Sequence, residues 1–584
     1  MSPNMRITAE YGHGMEPAPE SEPPRGDGRI PFTFRIGVTG HRELDKPDDL
    51  RQPIREAIVR LLTLAPVAPG AGLALVVVSA LAEGADRLVA EEVLASGADQ
   101  KMVLDMVLAD LDARLEVALP MDAEKYLEDF KTEESKEEFR CFLARARPGD
   151  TWQAPAELER EKAYERAGRY LVDRCDVIIA VWDGEKSKGR GGTAEIVAYA
   201  QEQGVPIAWV HTVGGLPVSY ALENKRAEVV TAAAEKLRKY NAAEIEKPKL
   251  DKRMRELREE LMPDIARQIP VDPLGLSRQS IADWVFPYFI RADILALRYQ
   301  RRFRWLSLAI FALAALAVAV VAVQTNFWPE LDWLAAFEVV FLGTLLGILM
   351  MNRRLRLHDQ WISSRFLAER LRSSYFLALA QTGDRRGRSS RLAYLSDSSE
   401  AWIERALTEV SARRPDLDSG APPTRALRDY LNHYWIESQI LYQAKTSERQ
   451  HTFEYLLIRA TELLFLVTLA AAFVHIFAGS IFSDPGKAGL EHHGFWEGFL
   501  VVVSIVVPAF GAAVHGFSTQ RQFRRHSERY GRMAGVLAQV QAEMADATTI
   551  EQVREVAAAT EQIMREENSD WFGVMRFHDM ELIT

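Results

Sequence analysis

WLSLAIFALAALAVAVVAV, residues Trp305–Val323, is a run of 19 residues with no ionisable side chain. Coiled into a helix it is about 28 Å long at ~1.5 Å per residue, which matches the ~30 Å hydrocarbon core of a bilayer. A helix this long without a polar face has no place on the surface of a water-soluble domain. Three more apolar runs follow, at Trp333–Met351, Leu463–Ser483 and Gly498–Ser518, interrupted only by Glu338, His475, Pro508 and His515. The four runs pair naturally as two hairpins, each joined by a short turn.

The flanks give an orientation. Arg298, Arg301, Arg302 and Arg304 precede the first hairpin, and Arg353, Arg354 and Arg356 follow it. Arg449 and Arg459 precede the second hairpin, and Arg521, Arg524, Arg525 and Arg529 follow it. The turn Gln324–Asp332 has no positive charge, and Asp484–Glu497 has only Lys487. Positive charge stays on the cytoplasmic side, so a multi-pass protein of the inner (cytoplasmic) membrane is expected, with both termini in the cytoplasm. Trp328, Trp333 and Trp496 fall where an interfacial aromatic belt would lie.

The rest of the chain is not membrane-like. Mean hydropathy over 584 residues is −0.12, so the spans are a minority joined to large soluble segments. The formal net charge of −11 gives no basic face for nucleic acid, and none is expected as a partner. Cys141 and Cys175 are too few for a disulfide framework. Residues 1–30 are rich in Pro, Glu and Gly and read as a disordered tail. The pattern divides the remainder into a head (31–212), a helical linker (213–280), a first hairpin with cytoplasmic helices (281–380) and a loop-rich helical connector (381–424). A second hairpin with its helices (425–545) and a C-terminal helical segment (546–584) follow.

In the head, short apolar runs at Phe32–Val38, Leu73–Val78, Leu115–Leu119, Val177–Trp182 and Ile207–Val210 alternate with helical patterns. Continuous apolar runs are strands buried on both faces, and strand–helix alternation predicts a Rossmann-like α/β parallel sheet with helices on both faces. Ligands of such sheets bind beyond the carboxyl ends of the strands, where three glycine-bearing loops fall. The first holds Thr39, Gly40, His41 and Arg42; the second holds Ser79, Glu83, Gly84, Ala85, Asp86 and Arg87. The third brings Asp183 and Gly184 together with Gly191, Gly192, Thr193 and Glu195. Glycine admits a ligand close to backbone, helix N-termini favour anions, and Arg42 and Arg87 are candidates for pairing with phosphates. Asp86 and Glu195 are candidates for ribose hydroxyls. These residues are the candidate nucleotide site.

The combination Gly40-His41-Arg42, Ser79 to Arg87, Cys175-Asp176-Val177 with Trp182-Asp183-Gly184, and Gly191-Gly192-Thr193-Ala194-Glu195 resembles the SLOG superfamily, which includes Lonely-Guy-type and DprA-like proteins. The resemblance covers residues 31–212 and implies a nucleotide or nucleotide-derivative ligand: NAD-related, ADP-ribose-related or a signalling nucleotide. It implies no tightly bound cofactor. Lonely-Guy hydrolases carry a Gly-Gly-x-Gly-Thr-x-x-Glu loop, whereas Glu195 follows Thr193 by two positions. One position on a helix turns a side chain by about 100°, so no catalytic residue is carried over. If the head is instead a hydrolase of nucleotides or NAD, Glu83, Asp86, Asp183 and Glu195 are its candidate acid/base groups.

The linker has the composition of cytoplasmic helices, with breaks expected at Pro248 and Pro263, and Ser277–Arg304 runs directly into the first span. Ser363-Ser364-Arg365-Phe366 after the first hairpin and Ser527-Glu528-Arg529-Tyr530 after the second mark an internal duplication. A two-span hairpin flanked by such helices resembles the SLATT domains, here over residues 280–545 in two copies. That resemblance implies a membrane effector, a homo-oligomer that opens a pore or perturbs the bilayer when its sensor detects a nucleotide in a bacterial anti-phage or stress system. Glu338, an acid inside a span, is the pore-lining candidate. No metal site is expected.

Overall fold

The computed structural model describes residues 26–98, 111–147, 149–185, 192–212, 216–263, 274–382, 398–415, 422–481 and 490–576. Gly191, most of the tail and the turn carrying Asp484 and Lys487 lie outside the described residues. The chain forms two compact units, one of residues 1–249 with 384–415 and one of residues 250–383 with 416–584.

The first unit is built on a seven-stranded sheet: β1 (Phe32–Gly40), β2 (Leu73–Ser79), β3 (Leu111–Leu119), β4 (Thr151–Gln153), β5 (Val177–Trp182), β6 (Ile207–His211) and β7 (Ser219–Ala221). Their spatial order is β4-β3-β2-β1-β5-β6-β7. Every pairing is parallel except β6 with β7. The sequence reading finds five parallel strands; the two it lacks are three-residue edge strands, too short to leave a pattern, and β7 makes the sheet mixed. β2 and β5 consist almost wholly of buried apolar side chains, the signature of a sheet covered on both faces. The chain steps outward from β1 in one direction through β2 to β4, then restarts on the other side at β5. The point where the order reverses therefore lies between the carboxyl ends of β1 and β5.

The amino ends of the same strands are closed by a helix from far along the chain, Ser398–Ala412, within the segment read as a connector. Its Trp402 ring packs 5.6 Å from Tyr240 of helix Lys225–Ala242. Arg405 pairs at 2.5 Å with Asp176, which is 0 % exposed and also accepts the Arg35 amide at 2.9 Å. Glu409 takes the Thr33 hydroxyl and pairs with Arg114 and Arg413. Beside it, Glu116 accepts from both Arg35 and Arg174, at 3.0 and 2.5 Å. Buried charges are tolerated when each has a partner of opposite sign, and the partners here come from both the sheet and this late helix. The arginine neighbours outweigh burial and hold the Asp176 and Glu116 carboxyls below their ordinary range.

The second unit is all helical. Four of its helices are long and apolar enough to cross a membrane, spanning Ser277–Phe327, Asp332–Leu355, Thr424–Phe477 and Gly498–Asp546. Large apolar side chains such as Val339, Phe465 and Ile476 are 67–73 % exposed on the isolated chain, a surface that water does not tolerate and lipid does. Helix Gly275–Phe327 runs 53 residues through Pro287 without interruption, joining the segment ahead of the first span to the span itself. Pro248, expected as a break, is instead the second residue of helix Lys247–Leu261, where a missing N–H costs nothing. Helix Leu490–Arg521 continues through Pro508.

Each hairpin ends in the same joint. Helix Ala335–Leu355 is separated from Leu357–Leu379 by one left-handed residue, Arg356 (φ 46°), and Leu490–Arg521 from Phe523–Asp546 by Gln522 (φ 47°). A left-handed conformation is uncommon for side chains of this size, so its recurrence supports the internal duplication more specifically than the residue likeness does. Superposing the joints sets Arg365 opposite Gly531, two residues out of step with Arg529. Glu338 sits in the first turn of its helix, where the partial positive charge of the helix start favours a carboxylate.

Candidate functional site

A cleft of about 410 Å³ opens where the sheet order reverses. Its floor is Gly40, at the end of β1. A Cβ there would stand 2.4 Å from the Ala85 Cβ and 2.6 Å from the Val181 carbonyl oxygen, so the ends of β1 and β5 and the start of helix Ala85–Ala98 converge with no room for a side chain. The loops after β1 and β5 are tied together: the His41 amide donates to Val181 at 3.1 Å, and the His41 ring lies 3.0 Å from the Asp183 carboxylate. The loop after β2 is docked onto the loop after β1 through the Ala85 amide, 3.0 Å from the His41 carbonyl.

Of the sequence-predicted residues, the structure gathers Thr39, Gly40, His41, Arg42, Asp86, Asp183, Gly192 and Thr193 around this cleft. Gly192 precedes helix Thr193–Glu202 and gives no side-chain cap. The helix start therefore turns main-chain amides, with their partial positive charge, toward an anion. Arg42 is exposed on the rim, its guanidinium 5.3 Å from the Tyr164 ring centre.

Other predicted residues serve the cleft from behind. Arg87 is 4 % exposed and spends its guanidinium on the Leu81 carbonyl at 3.1 Å, Ser135 at 3.0 Å and Glu138 at 2.7 Å. The Ser79 hydroxyl accepts the Leu81 amide at 2.9 Å. Ser79 and Arg87 thus pin Leu81, a buried leucine held at φ 57°. Strain of that kind persists only where surroundings over-determine it, and it concentrates at functional loops. Glu83 accepts from the Ser135 hydroxyl at 2.5 Å. Gly84 (φ 78°) and Ala85 set the approach of the two loops, and Gly184 (φ 91°) turns the chain after Asp183. Glu195 stands in the first turn of its helix, outside the lining of the cleft.

Sequence reasoning missed Tyr126, Tyr164, Gly168 and Glu185, which also line the cleft, as does Trp182, which it quoted only as a strand end and for the resemblance. Tyr164 and Gly168 share one face of helix Arg160–Arg174 with Leu171, and a glycine in the middle of a helix is the one local sign that something must fit there. The Tyr126 hydroxyl is buried with no hydrogen-bond partner among the described residues, a donor placed where a ligand can use it. Tyr164 donates to the Asp129 carboxylate, and burial lifts its phenol to about 12.

Asp86 is the electrostatic exception. Burial pushes its carboxyl up to about 6, against bonds from the Ala82 amide and Ser79 and the nearby charge of Arg42. A carboxyl whose folded pKa exceeds its unfolded value holds extra protons in the native state, so stability falls as pH rises between about 4 and about 6 and stays at the lower level above. Asp86→Asn is therefore expected to raise the thermal midpoint of the full-length protein at about pH 8 and leave it nearly unchanged at about pH 4. Parallel thermal scans of both proteins at the two pH values check this.

Residues 492–571 match the family model described as SMODS and SLOG-associating 2TM effector domain 1, SLATT_1. The match spans most of the fourth apolar helix and the helices Phe523–Asp546 and Ile550–Arg576 behind it. The chain thus carries a SLATT effector domain at its carboxyl end, which points to a membrane-associated effector. No curated protein matches the chain.

Proposed function

We propose that this protein is a nucleotide-sensing membrane effector of a bacterial defence or stress system. The cleft in its head binds a nucleotide derivative, and its homo-oligomeric spans open or disrupt the bilayer in response. The observation that carries this is the site's construction: a glycine floor, a helix start and an exposed arginine stacked on tyrosine at the sheet's reversal point, in a chain that also holds an effector domain. These are the groups that take a phosphate, a sugar and a ring. A SLATT domain supplies the membrane half of the reading. The arginine-rich flanks put the head, the middle segment and both termini in the cytoplasm, with two short turns on the outer face of the inner membrane. A ligand can shift the closed–open balance only through its different affinity for the two states, so occupancy and opening rise together.

Calorimetry of the detergent-solubilised chain with NAD, ADP-ribose and a panel of nucleotides tests the site. Arg42→Ala is expected to lower affinity for the ligand found by roughly 10- to 100-fold, the value of a hydrogen bond to a charged group. Unchanged affinity overturns the assignment of the cleft. Ion flux from liposomes holding the purified protein, with and without that ligand, tests the response.

One observation favours a second reading, a membrane-anchored hydrolase of nucleotides or NAD. Asp86 lies in the cleft with its carboxyl raised to about 6, the range of a general acid or base. Release of free base on incubation with NAD or nucleoside monophosphates, lost in Asp86→Asn, would select it.

A further inference from the structure

The four apolar helices stand in an open row. Helix Ala335–Leu355 packs along its hairpin partner Gly275–Phe327, which packs along Leu490–Arg521 of the other hairpin, which packs along its own partner Ser438–Ile481. The two ends of the row, Ala335–Leu355 and Ser438–Ile481, do not pack along each other among the described residues. The hairpins thus meet through Gly275–Phe327 and Leu490–Arg521, and the contact is close. A Cβ added to Gly516 would stand 2.7 Å from the Phe311 ring, and one added to Gly498 would stand 3.5 Å from the Asn326 carbonyl oxygen. The Phe495 and Phe327 ring centres are 5.3 Å apart. Residue numbers rise along one helix as they fall along the other, so the pair is antiparallel. At about 3.6 residues per turn, Ala509, Ala513 and Gln520 share the face of Gly498 and Gly516.

The internal duplication makes this face occur twice. With the left-handed residues Arg356 and Gln522 superposed, Gly343 falls on Ala509, Gly347 on Ala513, Met350 on Gly516 and Arg354 on Gln520. In the second hairpin the first helix of the other hairpin lies against this face. In the first hairpin the same face is bare: nothing stands within 4 Å of a Cβ added to Gly343 or Gly347, and both glycines, Met350 and Arg354 are exposed. Ser438–Ile481, the counterpart of Gly275–Phe327, is bare as well. It meets its hairpin partner where Leu464 faces Gly511 at 3.8 Å, and it leaves an exposed stripe of Phe465, Leu469 and Ile476 on another side. A row of repeats leaves one unmet face at each end. Lipid suits any apolar face, whereas glycines four positions apart weaken a helix and let a second helix backbone come close.

We infer that Ala335–Leu355 of one copy packs against Ser438–Ile481 of the next, repeating between chains the contact that Leu490–Arg521 makes with Gly275–Phe327 inside one. The inference rests on the homo-oligomeric reading above and specifies its interface. The helix directions agree, since each hairpin is antiparallel and the contact inside the chain is antiparallel too. The two faces differ, so the contact is head to tail and closes into a ring when the rotation allows. Every hairpin of that ring has equivalent neighbours, and the ring holds twice as many hairpins as chains. Ala509, the counterpart of Gly343, lies half a turn from Gly511, which sets Gly343 level with the segment 465–469 of the neighbouring copy.

The test uses full-length chains carrying Cys141→Ser, co-expressed in pairs with different tags. Gly343→Cys with Leu469→Cys, or with Phe465→Cys, is expected to give a mixed disulfide-linked dimer on mild oxidation of membranes, and none of the three is expected to link to itself. A linked dimer from Gly343→Cys alone would place two glycine faces together and overturn the proposal. So would the lack of any link in a protein whose native mass shows several chains. A native mass of one chain would instead remove the homo-oligomeric reading itself. A second variant, Gly343→Leu/Gly347→Leu, adds side chains where its own chain leaves room, so it is expected to fold. Overpacking between copies should weaken its association on dilution by roughly 5- to 150-fold, and unchanged association leaves that face to lipid and refutes the contact.

Discussion

Gly84→Ala should dismantle the cleft and weaken the head around it. At φ 78° an alanine costs ~1–2 kcal/mol by conformation alone. Its Cβ would also stand 2.3 Å from the Arg42 carbonyl oxygen and 2.6 Å from that of His41, and neither is a flexible side-chain end that can swing aside. Relief requires the loops after β1 and β2 to separate, which breaks the Ala85–His41 bond and moves Arg42 off the rim. Overpacking of this kind adds ~1–3 kcal/mol. Gly204→Ala is the matched control, since Gly204 has φ 62° but nothing within 4 Å of the added carbon. It should show only the conformational cost. Hydrogen exchange of the peptides covering Phe32–Gly40 and Leu73–Ser79 is the measurement. Exchange is expected to speed up by roughly 30- to 5,000-fold in Gly84→Ala, with loss of nucleotide binding, and binding should survive in Gly204→Ala. Near-native exchange in both would show that the loop contact does not hold the head together.

Arg405→Met should be nearly as damaging at the opposite edge of the same sheet. Methionine fills the volume but takes from Asp176, fully buried, the guanidinium that pairs with it. Removing one member of a buried ion pair costs ~3–5 kcal/mol because the other is left as an uncompensated charge, whereas removing both can be close to neutral. The double variant Arg405→Met/Asp176→Asn is therefore expected to recover most of the loss. The expected drop in the head's thermal midpoint is on the order of 10 °C for the single variant. The sign with pH follows from the lowered carboxyl of Asp176. Its contribution is present above the unfolded carboxylate pKa and disappears as pH falls through the lower, folded one. The gap between wild type and Arg405→Met should thus close in acid. A single variant as stable as wild type at neutral pH would refute the staple.

The membrane spans were legible in the sequence because lipid permits no ambiguity: an uninterrupted run such as Trp305–Val323 has one comfortable solvent. β1, β2 and β5 were legible for a similar reason, being apolar at nearly every position. The glycine-bearing loops could be placed at one sheet edge because parallel strands send their carboxyl ends to the same side. What single residues do within those loops could not be read. Arg87, Ser79 and Glu83 have the chemistry of ligand contacts, yet Arg87 and Ser79 hold Leu81 in a strained conformation and Glu83 takes the Ser135 hydroxyl, demands visible only in three dimensions. Tyr126 and Tyr164 reach the cleft from segments with no motif. The helix Ser398–Ala412 was opaque for the opposite reason. Arg405, Glu409 and Arg413 look like any solvated charged face until the sheet supplies Asp176 and Arg114 as their partners.

That late helix also fixes an order of events during synthesis. A ribosome releases the sheet first, then both apolar helices of the first hairpin, and only afterwards residues 398–412. The newborn head must wait for the Arg405 partner of Asp176 until the first hairpin has already emerged and met the insertion machinery. Completion of the head therefore reports that the first hairpin has been made, so a chain truncated before that point has a head with an unfinished edge, open to quality control.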